Sequence, residues 1–352
     1  MDLHKSKTYL GDLDISVRHI VNVQKLKNQS ILITGATGTV GSYIADVLFR
    51  LNETENAEIK IYLAGRNVSK LQEMYGNQNA EFLQYDLDKS IGFGFDIDYI
   101  IHVAGNAYPQ AFNSDPVGTL VNSVNSTKRL LDYGVENGAR RLLYVSSGEV
   151  YGVGDISLDA FKEDYMGSLD LASSRSCYPE SKRVTENLCA SYSHQYGLET
   201  VSVRLCHTYG PMITVSDNRA QAQFIRNALS HHDIALKSAG AQLRSYNYIA
   251  DAAAGILTVL LNGNTGEAYN IANPDAKITI AGLATVIAES TGQKVIFTNP
   301  DDFDLANRSP IPKQVLDTTK LESLGWKGHF SVKDGITHTL QILYEARAND
   351  GC

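Results

Sequence analysis

The chain is 352 residues long, 43% apolar and 20% charged, which suits one large or two smaller globular domains whose core needs no disulfide or metal staple. It carries 31 Lys and Arg against 39 Asp and Glu, a formal charge of −8. An acidic chain with no basic run excludes duplex nucleic acid and an anionic membrane surface as expected partners, and leaves room for a phosphate held by a few Arg residues or a helix N-terminus.

Residues 1–30 read as a polar N-terminal extension. The opening MDLHKSKTYLGDLD has no apolar secretory core, and no stretch of the chain approaches the ~20 apolar residues of a membrane span, so a cytoplasmic protein is expected. Ile31-Leu32-Ile33 is a first strand. Val40, Ile44, Val47, Leu48 and Leu51 then repeat with the spacing of one helix face. Further strands are predicted at Ile59–Leu63, Tyr99–Val103, Leu142–Val145 and Val201–Leu205, with helices near 115–137 and 179–196 between them. Strand and helix in alternation require crossovers, hence a mostly parallel sheet covered on both faces. The last third predicts helices near 221–230, 249–261, 279–290 and 333–346 with only short strands such as Ala268–Ile271. The expected fold is α/β: a Rossmann-type doubly wound parallel sheet over 31–205, and a smaller C-terminal α+β substrate lobe over 206–352, of which parts such as 243–262 pack back on the first domain. Cys177, Cys189, Cys206 and Cys352 form no Cys-x-x-Cys pair, so reduced thiols and no metal are expected.

The first strand runs into Thr34-Gly35-Ala36-Thr37-Gly38-Thr39-Val40-Gly41. Glycines at three-residue spacing let backbone approach a pyrophosphate closely, and the opening turn of the following helix offers it N–H groups and a positive dipole end. With a strand before it and an amphipathic helix after it, this loop predicts dinucleotide binding. The second strand ends in Ala64-Gly65-Arg66-Asn67, where an acidic residue would have favoured NAD. Arg66 can pair with the 2′-phosphate of NADP, which leaves that cofactor open, or lie against the adenine.

Ser146-Ser147-Gly148-Glu149 follows a later strand, and Tyr178-Pro179-Glu180-Ser181-Lys182 opens a helix. Tyr178 and Lys182 lie one helical turn apart. A phenol of pKa ~10 is a poor base until a nearby ammonium favours the phenolate. Ser147 can hydrogen-bond both the phenol and a substrate alcohol. Together the three suit removal of an alcohol proton while hydride leaves the same carbon.

The glycine loop, the serine-rich strand end and Tyr-x-x-x-Lys, in this order, resemble the short-chain dehydrogenase/reductase superfamily. Ser-Ser-Gly-Glu-Val-Tyr-Gly, Tyr-Pro-Glu-Ser-Lys, the run Arg204–Pro211, the run Arg244–Asp251 and Leu324-Gly325-Trp326 make the chain similar to the extended NAD-dependent epimerase/dehydratase family, which acts on nucleotide sugars. That resemblance implies oxidation of the sugar at C4 to a 4-keto intermediate, then epimerisation, dehydration or decarboxylation, with NAD retained.

By the same resemblance Asp86 and Leu87 contact the adenine, and Ala104 of the His102–Gly105 loop lies under the ribose. Glu149 matches an acid of dehydratases and uronate decarboxylases, and Arg308 an arginine of the decarboxylase branch. Gly148 stands where 4,6-dehydratases carry an acid, which weakens that alternative. Arg244 and Arg219 match phosphate-side arginines, and His207 replaces a usual asparagine. The resemblance favours UDP-glucuronate decarboxylase-like members over a 4-epimerase, an NADPH-dependent ketosugar reductase or a cofactor sensor. It also implies a homodimer through the helices at 115–137 and 179–196.

Overall fold

The computed structural model describes residues 2–86, 91–105, 107, 109–213, 217–300 and 311–350. Leu87, Arg308 and Cys352 lie outside the described residues.

The first element is α1 (Lys7–His19), begun where Ser6 accepts a hydrogen bond from the Tyr9 amide. The βα alternation then runs β1 (Ser30–Thr34), α2 (Thr39–Glu55), β2 (Lys60–Gly65), α3 (Val68–Tyr75), β3 (Ala80–Gln84), β4 (Tyr99–His102), α4 (Pro109–Ser114), α5 (Pro116–Glu136), β5 (Arg141–Ser147), α6 (Cys177–Tyr196) and β6 (Glu199–Leu205). There follow β7 (His207–Tyr209), α7 (Ala220–Leu229), β8 (Ile234–Leu236), β9 (Leu243–Tyr248), α8 (Ile249–Asn262) and β10 (Ala268–Ile271). The chain continues through β11 (Lys277–Thr279), α9 (Ile280–Thr291), β12 (Val295–Phe297), β13 (Lys313–Gln314), α10 (Thr319–Glu322) and α11 (Val332–Asp350).

Seven strands form one parallel sheet in the order β3-β2-β1-β4-β5-β6-β10. The chain winds outward from β1 in one direction and returns to start again at β4 in the other. The crevice between β1 and β4 is therefore the switch point at which such sheets bind ligands. The strands are apolar throughout because helices cover both faces: β1 and β4 bury nearly every residue. Ala268–Ile271, read from sequence as a strand of the smaller lobe, is β10 of this main sheet, its Tyr269 opposite Val203 of β6. Helix α8 supplies the crossover, and residues Ile249–Leu261 are all buried.

The remaining strands build a second layer at the carboxyl end of the main sheet. There β9 is flanked by β11 and β13 and also pairs with β7, while β8 pairs with β12. The N-terminal segment is part of the core. Tyr9, Leu13 and Val17 of α1 are buried. The Tyr9 hydroxyl donates to Asp46 of α2, and Asp12 accepts from Tyr248 of β9 and pairs with His338 of α11. Among the described residues no helix is long and apolar enough to cross a membrane, and no cluster of His, Cys, Asp and Glu could hold a metal ion.

Candidate active site

A cleft of about 390 Å³ lies beyond the carboxyl ends of β1, β4, β5 and β6. Its floor is the glycine loop. Gly35 has φ +75°, and a β-carbon there would lie 2.8 Å from the Ala104 amide nitrogen, so the β1 and β4 loops touch only because this residue is glycine. A β-carbon on Gly41 would lie 2.4 Å from the Gly35 carbonyl oxygen. Helix α2 starts at Gly38 with no side-chain cap, which leaves its first-turn N–H groups to an incoming anion. The Thr34 hydroxyl bonds the buried His102 ring at 2.7 Å and accepts from the Ala104 amide at 3.3 Å, fixing the facing loop. Burial, with Lys182 nearby, takes His102 down to about 3, so the ring is neutral.

Gly35, Thr37, Gly38, Thr39, Val40, Arg66 and Ala104 all line this part of the cleft. The close glycine packing and the uncapped helix fit a dinucleotide. Gly41 is packed beneath the loop rather than facing the cleft. Asn67 accepts from the Lys70 amide at 3.0 Å and caps α3 instead, and Asp86 does not line the cleft.

On the opposite wall β5 delivers Ser147 and the start of α6 delivers Tyr178 and Lys182; all three line the cleft. The Lys182 ammonium donates to the Val145 carbonyl at 2.9 Å and sits 4.7 Å from the Tyr144 ring centroid and 5.7 Å from that of Tyr178. The Tyr178 phenol is held above its ordinary value by burial; Lys182 and Ser147 pull it down and Glu149 pushes it up. Lys182 thus acts in the direction expected from sequence, but in the protein alone desolvation outweighs it. Burial likewise pulls Lys182 below its ordinary value, with Tyr178 opposing.

Glu149 stands in the turn after β5, and its amide donates to the Ser147 hydroxyl at 3.2 Å. One guanidinium nitrogen of Arg175 bridges both Glu149 carboxylate oxygens, at 3.0 and 2.8 Å. Arg175 also lies 4.8 Å from the Phe112 ring centroid, and Phe112 is stacked on Tyr178 at 4.2 Å and 16°.

At the far end His207 and Arg219 line the cleft. Arg219 is already paired with Asp217, through contacts of 2.9 and 2.6 Å. His207 is lowered to about 3 by burial and by Arg244 and Arg219, and its Nδ1 has no partner among the described residues. Arg244 does not line the cleft. It is 3% exposed and donates to the carbonyls of Leu243 and Ile311, at 3.0 and 2.5 Å. It stands behind His207 as a buried charge with no carboxylate partner in those contacts.

Sequence reading missed Arg175, Phe112, Asp217 and Gln314. Arg175, three residues before Tyr178, had a local signal in Arg-Ser-Cys-Tyr. Asp217 had one in Asp-x-Arg. Phe112 and Gln314 reach the site only through tertiary packing.

Residues 31–272 match the NAD dependent epimerase/dehydratase family. UDP-glucuronic acid decarboxylase 5 of Arabidopsis thaliana is 32% identical over 313 residues, covering 88% of this chain and 87% of that protein. Among solved structures, a mutant of UDP-glucuronic acid 4-epimerase from Bacillus cereus, in complex with UDP-4-deoxy-4-fluoro-glucuronic acid and NAD, is similar with a TM-score of 0.76 at 20% identity, covering 90% of this chain and 99% of that one. A double mutant of the dTDP-glucose 4,6-dehydratase DesIV from Streptomyces venezuelae, with NAD bound, gives 0.75 at 23% identity, covering 90% and 98%.

Proposed function

The chain belongs to the NAD dependent epimerase/dehydratase family, and we propose that within it this protein decarboxylates a UDP-uronate sugar through a 4-keto intermediate. The observation that carries the reading is the convergence of Ser147, Tyr178, Lys182 and the Glu149 carboxylate on the wall facing an anion-ready glycine loop. The 32% identity to a UDP-glucuronic acid decarboxylase, across nearly the whole of both chains, supports the same substrate.

NAD, which Gly35, Thr37, Gly38 and Thr39 of the glycine loop would hold, would supply a reversible hydride acceptor for the sugar C4. The chain's own residues handle the rest. Tyr178 takes the C4 hydroxyl proton, Ser147 holds that oxygen, and Lys182 favours the phenolate. Once C4 is a ketone, the C5 carboxylate is that of a β-keto acid, so the carbon–carbon bond breaks and its electron pair is delocalised onto the C4 oxygen. Glu149 orients the sugar or handles the proton that C5 then needs. His207 and Arg219 serve the substrate's nucleotide side, with Arg244 behind them. Arg308, which lies outside the described residues, is proposed by resemblance to the decarboxylase branch to serve the sugar carboxylate. Gly148, in place of an acid, speaks against a 4,6-dehydratase.

The reading includes a cytoplasmic homodimer. Helices α5 and α6 pack against each other and leave Val117, Leu120 and Val121 of α5 and Val184 and Tyr196 of α6 exposed, a face suited to a second copy.

A thermal-shift panel of UDP, dTDP, ADP and UDP-glucuronate tests the reading, because a ligand that binds the native state alone raises stability by RT ln(1 + [L]/Kd). UDP and UDP-glucuronate should stand out, and turnover should consume no added NADPH. Equal shifts across the panel, or stoichiometric NADPH consumption, would contradict it.

A further inference from the structure

Arg175 has no part in the chemistry assigned above, yet it touches both sides of it. It lies in the single turn Ser174–Ser176 that leads into α6, three residues before Tyr178. Its side chain and that of Glu149 are 24% and 25% exposed, so the pair is largely withdrawn from solvent. A single guanidinium nitrogen spans both Glu149 oxygens, while the guanidinium carbon rests against the ring of Phe112. Phe112 lies nearly parallel to the Tyr178 ring and buries with it; Phe112 is 1% and Tyr178 7% exposed. The Cys177 thiol, between Arg175 and Tyr178 in sequence, contacts the Phe112 carbonyl at 3.9 Å and closes the cluster. A cation–π contact combined with a charged hydrogen bond fixes a side chain in direction as well as position.

We propose that Arg175 is a positioning residue: it clamps the Glu149 carboxylate and, through the Phe112 ring, holds the Tyr178 ring in place, so that one side chain sets the geometry of both proton-handling groups. The proposal rests on the roles given to Tyr178 and Glu149 above. It joins three elements that sequence keeps apart: the turn after β5, the start of α6, and α4. Pulling Glu149 toward Arg175 also balances its charge beside the phenol. The groups facing that phenol are Lys182 from its own helix, Glu149 from the turn after β5, and Ser147 and Tyr144 from β5. His102 of β4 faces Lys182, and Asp115 of the α4–α5 junction faces Cys177. Of these, Glu149 opposes phenolate formation most directly, and Arg175 is its counter-ion.

The test uses NAD-loaded enzyme and four variants. In Arg175→Met the Glu149 carboxylate is left unbalanced, so the rising limb of the pH–rate profile on UDP-glucuronate should move up by about one unit, with about tenfold loss near neutral pH. Because Glu149→Gln alone is expected to stall after the first oxidation, the double variant Arg175→Met with Glu149→Gln is followed by cofactor reduction in the first turnover, whose pH limb should return to the parental position. A substrate-free readout runs beside it: the phenolate absorbance that disappears in Tyr178→Phe, titrated in each background. Should Arg175→Met not fold, Phe112→Leu removes the ring that links Arg175 to Tyr178 while leaving the Arg175–Glu149 pair, and should lower kcat by about fivefold or more with KM nearly unchanged. A Tyr178 titration unmoved by Arg175→Met, or parental kcat in Phe112→Leu, overturns the proposal. A Tyr178 titration that moves as expected in an enzyme inert toward UDP-glucuronate would uphold Arg175 and sink the substrate instead.

Discussion

A β-carbon on Gly35 would lie 2.8 Å from the amide nitrogen of Ala104. The two residues lie in the loops that follow β1 and β4, the strands on either side of the switch point, and their close approach sets the glycine loop against the loop that faces it. Any side chain at position 35 must push these loops apart, and its φ of +75° adds backbone strain. Gly35→Ala should therefore lower NAD affinity by tenfold or more, about 1.4 kcal/mol, while leaving the far-UV spectrum intact. Fluorescence titration with NAD checks it; unchanged affinity would mean that the loop does not hold the cofactor.

Tyr178→Phe keeps the ring that stacks on Phe112 and removes the proton acceptor. Turnover should fall by ~10²–10⁴-fold with NAD affinity close to that of the parent. Turnover within threefold of the parent would remove Tyr178 from the chemistry.

Lys182→Met keeps the length of a side chain that lies against Tyr144 and removes its charge. Lys182 pulls the Tyr178 phenol down while burial pushes it up. Without it, the rising limb of the pH–rate profile should shift to higher pH, and NAD should bind more weakly. A superimposable profile with equal affinity would reduce Lys182 to a packing residue.

Glu149 raises the Tyr178 phenol, so Glu149→Gln should not impede the first oxidation. It should stall the enzyme afterwards, with reduced cofactor accumulating in the first turnover and product lagging. Rapid-mixing absorbance against product formation decides; full turnover would favour a simple 4-epimerase.

The N-terminal segment carries a pH dependence of its own. His4 lies 3.2 Å from Asp46 and is raised from 6.5 to about 9, chiefly by that carboxylate. A histidine raised in the folded state contributes stability that is fully present below its unfolded value and is lost as pH climbs through its folded value. The Tm of the parent should therefore decline between about pH 6.5 and 9 more steeply than that of His4→Gln. Parallel Tm curves would leave the pair without energetic weight.

What could be read from sequence was local. Gly35, Gly38 and Gly41 announce their loop because the helix follows at once, and Tyr178 and Lys182 share a helix turn. The sheet followed from strand and helix alternation, since parallel strands need crossovers. Residues 1–30 misled as a polar extension because the buried stripe of α1 mixes Tyr9, Leu13 and Val17 with Asp12 and Ser16. Those polar residues are satisfied by Tyr248, His338 and Tyr43, which arrive from far along the chain. For Arg244, expected at a phosphate, the contacts seen are to the carbonyls of Leu243 and Ile311, set by strand packing that no spacing encodes. Arg175 stayed hidden because its meaning depends on Phe112, which lies far away in sequence and next to it in space.

On the function proposed above, this cleft removes carbon dioxide from a UDP-uronate while recycling its NAD. Purified enzyme incubated with UDP-glucuronate and no added reductant, followed by proton NMR of the sugar product, tests it most directly. A UDP-pentose, release of carbon dioxide and no net NADH are expected. UDP-galacturonate as the product, or recovery of unchanged substrate, would contradict it.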